Sequence, residues 1–212
     1  RAGALPAKGR SCSTGGDVTG GASRLDDIQP SAYRLVGLLN QAMLAMVDLP
    51  APIVAAVHGA VTGGSLGLVL AADVALMTAE ASLTPYYSAV GFSPDGGWTT
   101  LLPRLIGRQR AADVILRNRS VTAEQAVAWG LACLLVPADQ LRDQAQQMAL
   151  EIAHMQPGAV QSAKRLLWSD LNLAERLEAE RQQFVAQIGT AEAQAGMMAF
   201  LRQLKRKRPD PT

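Results

Sequence analysis

From Leu49 to Ala72 the chain carries no Asp, Glu, Lys or Arg, and this stretch limits the available folds more than any other. It is long enough for a membrane span, which takes about 20 apolar residues. Pro50, Pro52, Gly59, Gly63, Gly64 and Gly67 interrupt it. A chain break around Thr62-Gly63-Gly64 would leave backbone polar groups unpaired in lipid, so a membrane span is not expected. The stretch reads instead as a buried strand over residues 53–57, a glycine turn over 59–64 and a buried helix near 65–72. Residues 73–78 read as a second buried strand. Strand, turn, helix and strand in that order point to an α/β layer with a mostly parallel sheet.

The flanking segments are easier to punctuate. Residues 1–30 are rich in Gly, Ser and Asp and read as loop, with Gly15-Gly16 before Asp17 marking a tight turn. A helix over 32–47, capped by Ser31, would bury Leu35, Leu38, Leu39, Ala42, Met43 and Met46, and Pro50 and Pro52 would end it. Short helices are expected at 86–90, 97–106 and 108–117, with a turn at Ser93-Pro94-Asp95-Gly96-Gly97. Thr122 and Gln125 form a capping box for a helix over 123–129 that Gly130 stops, and 131–136 reads as a strand. Helices over 138–155, 158–169, 173–188 and 191–205 follow. Two regions are therefore expected: an α/β core over 1–136 and a helical region over 137–212.

Of the 212 residues, 49% are hydrophobic but only 4% aromatic, so the core is built of small side chains in close approach. A net charge of +2 is too mild for a nucleic-acid surface. The cysteines, Cys12 and Cys133, and the histidines, His58 and His154, are isolated from one another. That excludes a disulfide scaffold, and no metal site is expected. With no apolar leader segment in the sequence, a cytoplasmic location is the expectation.

Two glycine turns can converge on one anion. Free N–H groups at a helix start point outward and favour negative charge, and Gly63-Gly64 leads into the buried helix. If Gly15-Gly16 supplies a second amide, the pair forms an oxyanion hole, in which each donor is worth about 3–4 kcal/mol in a transition state. Tight packing of strand on helix is the alternative reading. No Lys-Ser/Thr follows the glycines, so the turn is not a P-loop.

The run from Ile53 to Asp73, with Thr62-Gly63-Gly64-Ser65-Leu66-Gly67 at its centre, resembles the signature of the enoyl-CoA hydratase/isomerase (crotonase) family. Gly9-Arg10-Ser11-Cys12-Ser13-Thr14-Gly15-Gly16-Asp17 resembles the motif that precedes it, and the stretch from Val90 to Gly107 resembles the third. Phe200 to Pro209 resembles the C-terminal helix and tail. The resemblance implies a spiral of ββα units with a helical C-terminal trimerisation region. It implies an acyl-CoA thioester as substrate, with its enolate held by the N–H groups of Gly16 and Gly64. Gly63 would shape that turn, and Asp17 and Val18 would line the mouth where pantetheine enters. Coenzyme A would arrive as part of the substrate, with no separate cofactor. The basic run Lys205, Arg206, Lys207, Arg208 is a solvated tail or, by the resemblance, a contact of Lys205, Lys207 and Arg208 with the CoA phosphates. A homotrimer or dimer of trimers is implied. The family's N-terminal strands are expected to be missing from this chain.

The carboxylates narrow the expected chemistry. By the resemblance, the two hydratase glutamates would fall at Gly67 and Tyr87, and both are absent. Water addition needs a group to position and deprotonate the water. Asp95 matches the aspartate of single-carboxylate isomerases, whether of the double-bond-shifting or the ring-epoxide type. A 1,3-proton shift needs only one such group. A plain helix cap is the other reading of Asp95. Dehalogenation would require a histidine where Asn40 stands. The expected function is therefore an acyl-CoA thioester isomerase with Asp95 as its acid and base, and with Tyr87 either bonding the substrate or filling the pocket. The alternatives are a non-catalytic or truncated acyl-CoA-binding or interaction protein, or an enoyl-CoA hydratase.

Overall fold

A computed structural model describes residues 1–22 and 25–207. Four strands, β1 (Gly3–Pro6), β2 (Ile53–Val57), β4 (Val74–Met77) and β7 (Leu134–Leu135), form a wholly parallel sheet in the order β1-β2-β4-β7. The alternation along β2 and β4 decides its two faces. Val54, Ala56 and Leu76 pack under helix α8 (Leu141–His154) through Leu141, Ala145 and Ala149. Ala55, Val57, Ala75 and Met77 face the main core. A second, smaller sheet joins β3 (Ala60–Thr62) to β5 (Ser82–Thr84) in parallel and β5 to β6 (Val121–Thr122) antiparallel. The expected α/β spiral is present, and a helical C-terminal region follows it.

Several sequence expectations need correction. Residues 1–30 are not all loop: β1 lines the edge of the parallel sheet, and Val18–Ala22 forms helix α1. Every residue of β1 is exposed, so no apolar alternation announced it. The segment 59–64 is not one turn, because β3 interrupts it. Helix α2 (Ile28–Asp48) starts ahead of Ser31, which bonds the Asp27 carboxylate at 2.8 Å and does not cap the helix. Its buried stripe is Ile28, Ala32, Val36, Gly37, Asn40 and Met43, whereas Leu35 and Leu38 are exposed. The helix expected from residue 97 becomes regular only as α5 (Leu102–Ile106), after consecutive turns.

The remaining elements follow the sequence closely, except that the strand expected over 131–136 is confined to Leu134–Leu135. Helix α3 (Leu66–Leu70) follows the second glycine turn, and α4 (Tyr87–Val90) follows β5. Helix α6 (Arg108–Leu116) comes next, and α7 (Ala123–Ala128) carries the complete Thr122–Gln125 capping box. Beyond α8 lie α9 (Pro157–Trp168), α10 (Leu173–Ile188) and α11 (Ala191–Lys207). Helix α10 lies along α2, and its Leu173 and Leu177 enter the main core. Lys164 of α9 is buried and donates to Asp73 Oδ2 at 2.9 Å and to the carbonyls of Met46 and Ala51, while Trp168 Nε1 holds Asp73 Oδ1. No helix among the described residues is long and apolar enough to cross a membrane.

Candidate active site

Three chain segments leave parallel pairing at one end of the smaller sheet. Ser13 bridges Val61, and Val61 pairs with Leu83. Hydrogen bonds from Ser13 N to Ala60 O (3.0 Å) and from Thr62 N to Ser13 O (3.1 Å) fix that register. Three residues beyond these partners stand Gly16, Gly64 and Tyr86. The register thus brings both glycine turns and the start of α4 to one place. A Cβ at Gly15 would lie 2.8 Å from the Thr62 carbonyl, so only glycine lets the first turn come this close to the second. Among the described residues no acceptor takes the amide proton of Gly16 or of Gly64. The N–H of Gly64 stands at a 3-10 turn (Gly63–Ser65) that runs into α3, where unpaired amides are intrinsic to a helix start.

Asp95 comes to this turn from the third motif. Its carboxylate is pressed against Gly64: a Cβ on that glycine would lie 2.8 Å from Oδ1 and 2.9 Å from Oδ2. Gly96 packs still tighter, with its own Cβ position 2.4 Å from the Gly64 carbonyl. Trp98 Nε1 donates to Gly63 O at 2.8 Å and pins the segment from the other side. Asp95 is only 6% exposed, and Tyr87 donates its hydroxyl to Oδ1 at 2.5 Å and to the Asp95 carbonyl at 3.1 Å. Burial pushes the Asp95 carboxyl up to about 6; the Tyr87 hydrogen bond opposes that rise and the negative Glu180 adds to it. Burial, reinforced by the neighbouring Asp95 charge, holds the Tyr87 hydroxyl well above its ordinary range, so it stays protonated and donates to Asp95. This carboxylate is therefore ionised at neutral pH yet close to taking a proton, as general acid–base work requires.

The two positions where glutamates would be expected are closed. A Cβ on Gly67 would meet Met43 Sδ at 2.6 Å and the Gly96 carbonyl at 2.8 Å, so the cavity beside α3 is filled by the α2 methionine and by backbone. Tyr87 is buried and committed to Asp95. Asn40 does not face this turn as a base: its Nδ2 donates to the Leu177 carbonyl of α10 at 3.0 Å. His58 bonds the Gly9 carbonyl at 2.9 Å and ties the first motif to the end of β2.

Other expected residues lie around the rim. Asp17 Oδ1 accepts from Gly20 N at 2.9 Å and begins α1, with Val18 as its first residue. Leu35 of α2, which the sequence placed in the core, is exposed, and its Cδ2 is 3.9 Å from the Cβ position of Gly16. An exposed leucine on this rim supplies an apolar wall that helical periodicity alone could not distinguish from core. Lys207 is the last residue of α11, but the side chains of Lys205 and Lys207, and the whole of Arg208, lie outside the described residues. No cluster of three or more His, Cys, Asp or Glu able to hold a metal ion occurs among the described residues.

The profile of the Enoyl-CoA hydratase/isomerase family matches residues 5–209. The chain belongs to that family. It is 35% identical over 187 residues to the "Probable enoyl-CoA hydratase echA12" of Mycobacterium bovis, covering 84% of this chain and 64% of that protein. It is 36% identical over 114 residues to the 1,2-epoxyphenylacetyl-CoA isomerase of Escherichia coli, covering 54% of this chain and 44% of that one. The crystal structure of an enoyl-CoA hydratase from Bacillus halodurans superposes with a TM-score of 0.85 at 24% identity, over 93% of this chain and 81% of that one. The fold is the crotonase fold. Family membership is thereby fixed at the level of hydratase/isomerase, and both activities occur among the names of relatives.

Proposed function

We propose that the protein isomerises an acyl-CoA thioester, shifting a double bond or rearranging a ring epoxide, with one carboxylate moving the proton. The observation that carries this reading is the pairing of opposites around Gly64. A buried Asp95 carboxylate stands against it, while the hydratase position at Gly67 has no room for even one carbon. In the double-bond shift, the thioester oxygen sits between the amides of Gly16 and Gly64. Asp95 removes a proton from one carbon, and the C–H electron pair moves to that oxygen as an enolate. The protonated Asp95 then delivers the same proton two carbons away, and the electron pair returns. Nothing external is consumed. Two fixed N–H dipoles suit a charge that develops only in the transition state, at roughly 3–4 kcal/mol for each donor. Tyr87 steadies the ionised carboxylate before the first transfer. Asp17 and Val18 border the pantetheine entrance, and the working assembly is a trimer or a dimer of trimers.

Water addition is the second reading, supported by the hydratase name of the Mycobacterium bovis relative. A screen of β,γ-enoyl-CoA, dienoyl-CoA and aromatic-epoxide CoA thioesters, with products weighed by mass spectrometry, separates the two. Isomerisation leaves the mass unchanged; a product heavier by one water overturns the isomerase assignment.

A further inference from the structure

Glu180 belongs to none of the sequence motifs, yet it is buried beneath the candidate site at 6% exposure. It lies on α10, and among the described residues no Lys, Arg or His pairs with it. A buried carboxylate in that position is costly unless its oxygens are fully hydrogen-bonded. Its donors all come from one short stretch just after Asp95. Oε2 accepts from Gly97 N at 2.7 Å. Oε1 accepts from Thr99 N at 3.1 Å, from Thr99 Oγ1 at 2.6 Å and from Thr100 Oγ1 at 2.8 Å. The carboxylate thus does what an N-cap side chain does for the turns ahead of α5, but from a distant helix. On the opposite side the same stretch is pinned to the glycine turn by Trp98 and by the close packing of Gly96 on Gly64.

We propose that Glu180 is a positioning residue for Asp95, clamping the 97–100 backbone from α10 so that the Asp95 carboxylate is held against Gly64. This rests on the isomerase reading, which gives Asp95 the proton. The titratable groups facing Asp95 are Tyr87 from α4 and Glu180 from α10; Met43 of α2 and the Gly64 turn bring no charge. Glu180 therefore acts in two ways that can be separated. Its hydrogen bonds set where the carboxylate sits, and its negative charge favours the protonated form of Asp95.

The test compares Glu180→Gln and Glu180→Asp with the unaltered protein. Two quantities are read: the titration midpoint of the Asp95 carboxyl by carbon-13 NMR without substrate, and kcat, KM and the acid limb of kcat on the thioester found in the screen. Glu180→Gln removes the charge and turns one acceptor into a donor that faces Gly97 N–H. The Asp95 midpoint and the acid limb then move to lower pH by about half a pH unit or more, roughly a three-fold change in proton affinity. kcat falls about ten- to hundred-fold, with KM within about two-fold. Glu180→Asp keeps the charge on a shorter arm, so kcat falls while the midpoint stays. An unmoved Asp95 midpoint in a folded Glu180→Gln protein overturns the proposal, and so does unchanged kcat in Glu180→Asp should Glu180→Gln not fold. Absence of turnover in the unaltered protein would instead remove the isomerase reading, and the NMR midpoints would still decide the role of Glu180.

Discussion

At the scale of single residues, Asp95 is held in a form that works against stability. Its carboxyl is raised from the ordinary 3.8 to about 6 in the folded chain. Below about pH 4 both folded and unfolded chains carry the proton. As pH rises through 6, the folded chain must ionise a buried group that the unfolded chain ionises freely, so stability falls across that window. Asp95→Asn keeps the Tyr87 partner and is neutral at every pH. We expect it to raise the stability of the protein at pH 7.5, by on the order of 1–3 kcal/mol, and to leave it nearly unchanged at pH 4. Urea unfolding at the two pH values measures this. Gly67 gives a complementary expectation. Gly67→Ala drives a methyl into Met43 and the Gly96 carbonyl and costs about 1–3 kcal/mol. Thermal unfolding of Gly67→Ala beside a Gly67→Ala/Met43→Ala double variant tests it; relief is only partial in the double variant, because the carbonyl cannot move aside.

At the scale of elements, the buried pair Lys164–Asp73 ties α9 to the start of β4. Lys164→Met leaves Asp73 without its cation, and the expected loss is about 3–5 kcal/mol, read from denaturant midpoints. Where partners are near in sequence, the elements could be read from the chain itself. The Thr122–Gln125 box announced α7 because both halves of the cap lie within one turn. The β-branched ends of Ile53–Val57 announced β2 because a wholly buried parallel strand has no polar face. Strand β3 and its neighbours β5 and β6 were illegible because they span two or three residues, too few for a period to show. The start of α2 was missed because Ser31 looks like a cap but spends its hydroxyl on Asp27. Within the site, glycine turns pointed to an anion from their sequence alone, whereas the role of Asp95 depended on a family resemblance. Glu180 gave no signal, because its partners are amides and hydroxyls 80 or more residues away in sequence.

At the scale of the whole molecule, the α/β and helical regions share one core: Leu171, Leu173 and Leu177 pack in the same cluster as Met43, Leu66 and Trp98. Glu180 adds a polar bond across the same boundary. We therefore expect one calorimetric unfolding transition for the full chain, and no cooperative transition for a chain cut after residue 136. The position of Asp95 depends on that shared core, since the helix whose Glu180 bonds the turn after it lies in the second half of the sequence. The most direct test is turnover of a β,γ-enoyl-CoA thioester, followed as the absorbance of the conjugated product, in the unaltered protein and in Asp95→Asn. Conversion by the former, with a loss of at least about a thousand-fold in the latter and unimpaired thioester binding, is the predicted result. Equal rates in the two proteins would contradict the assignment of the proton to Asp95.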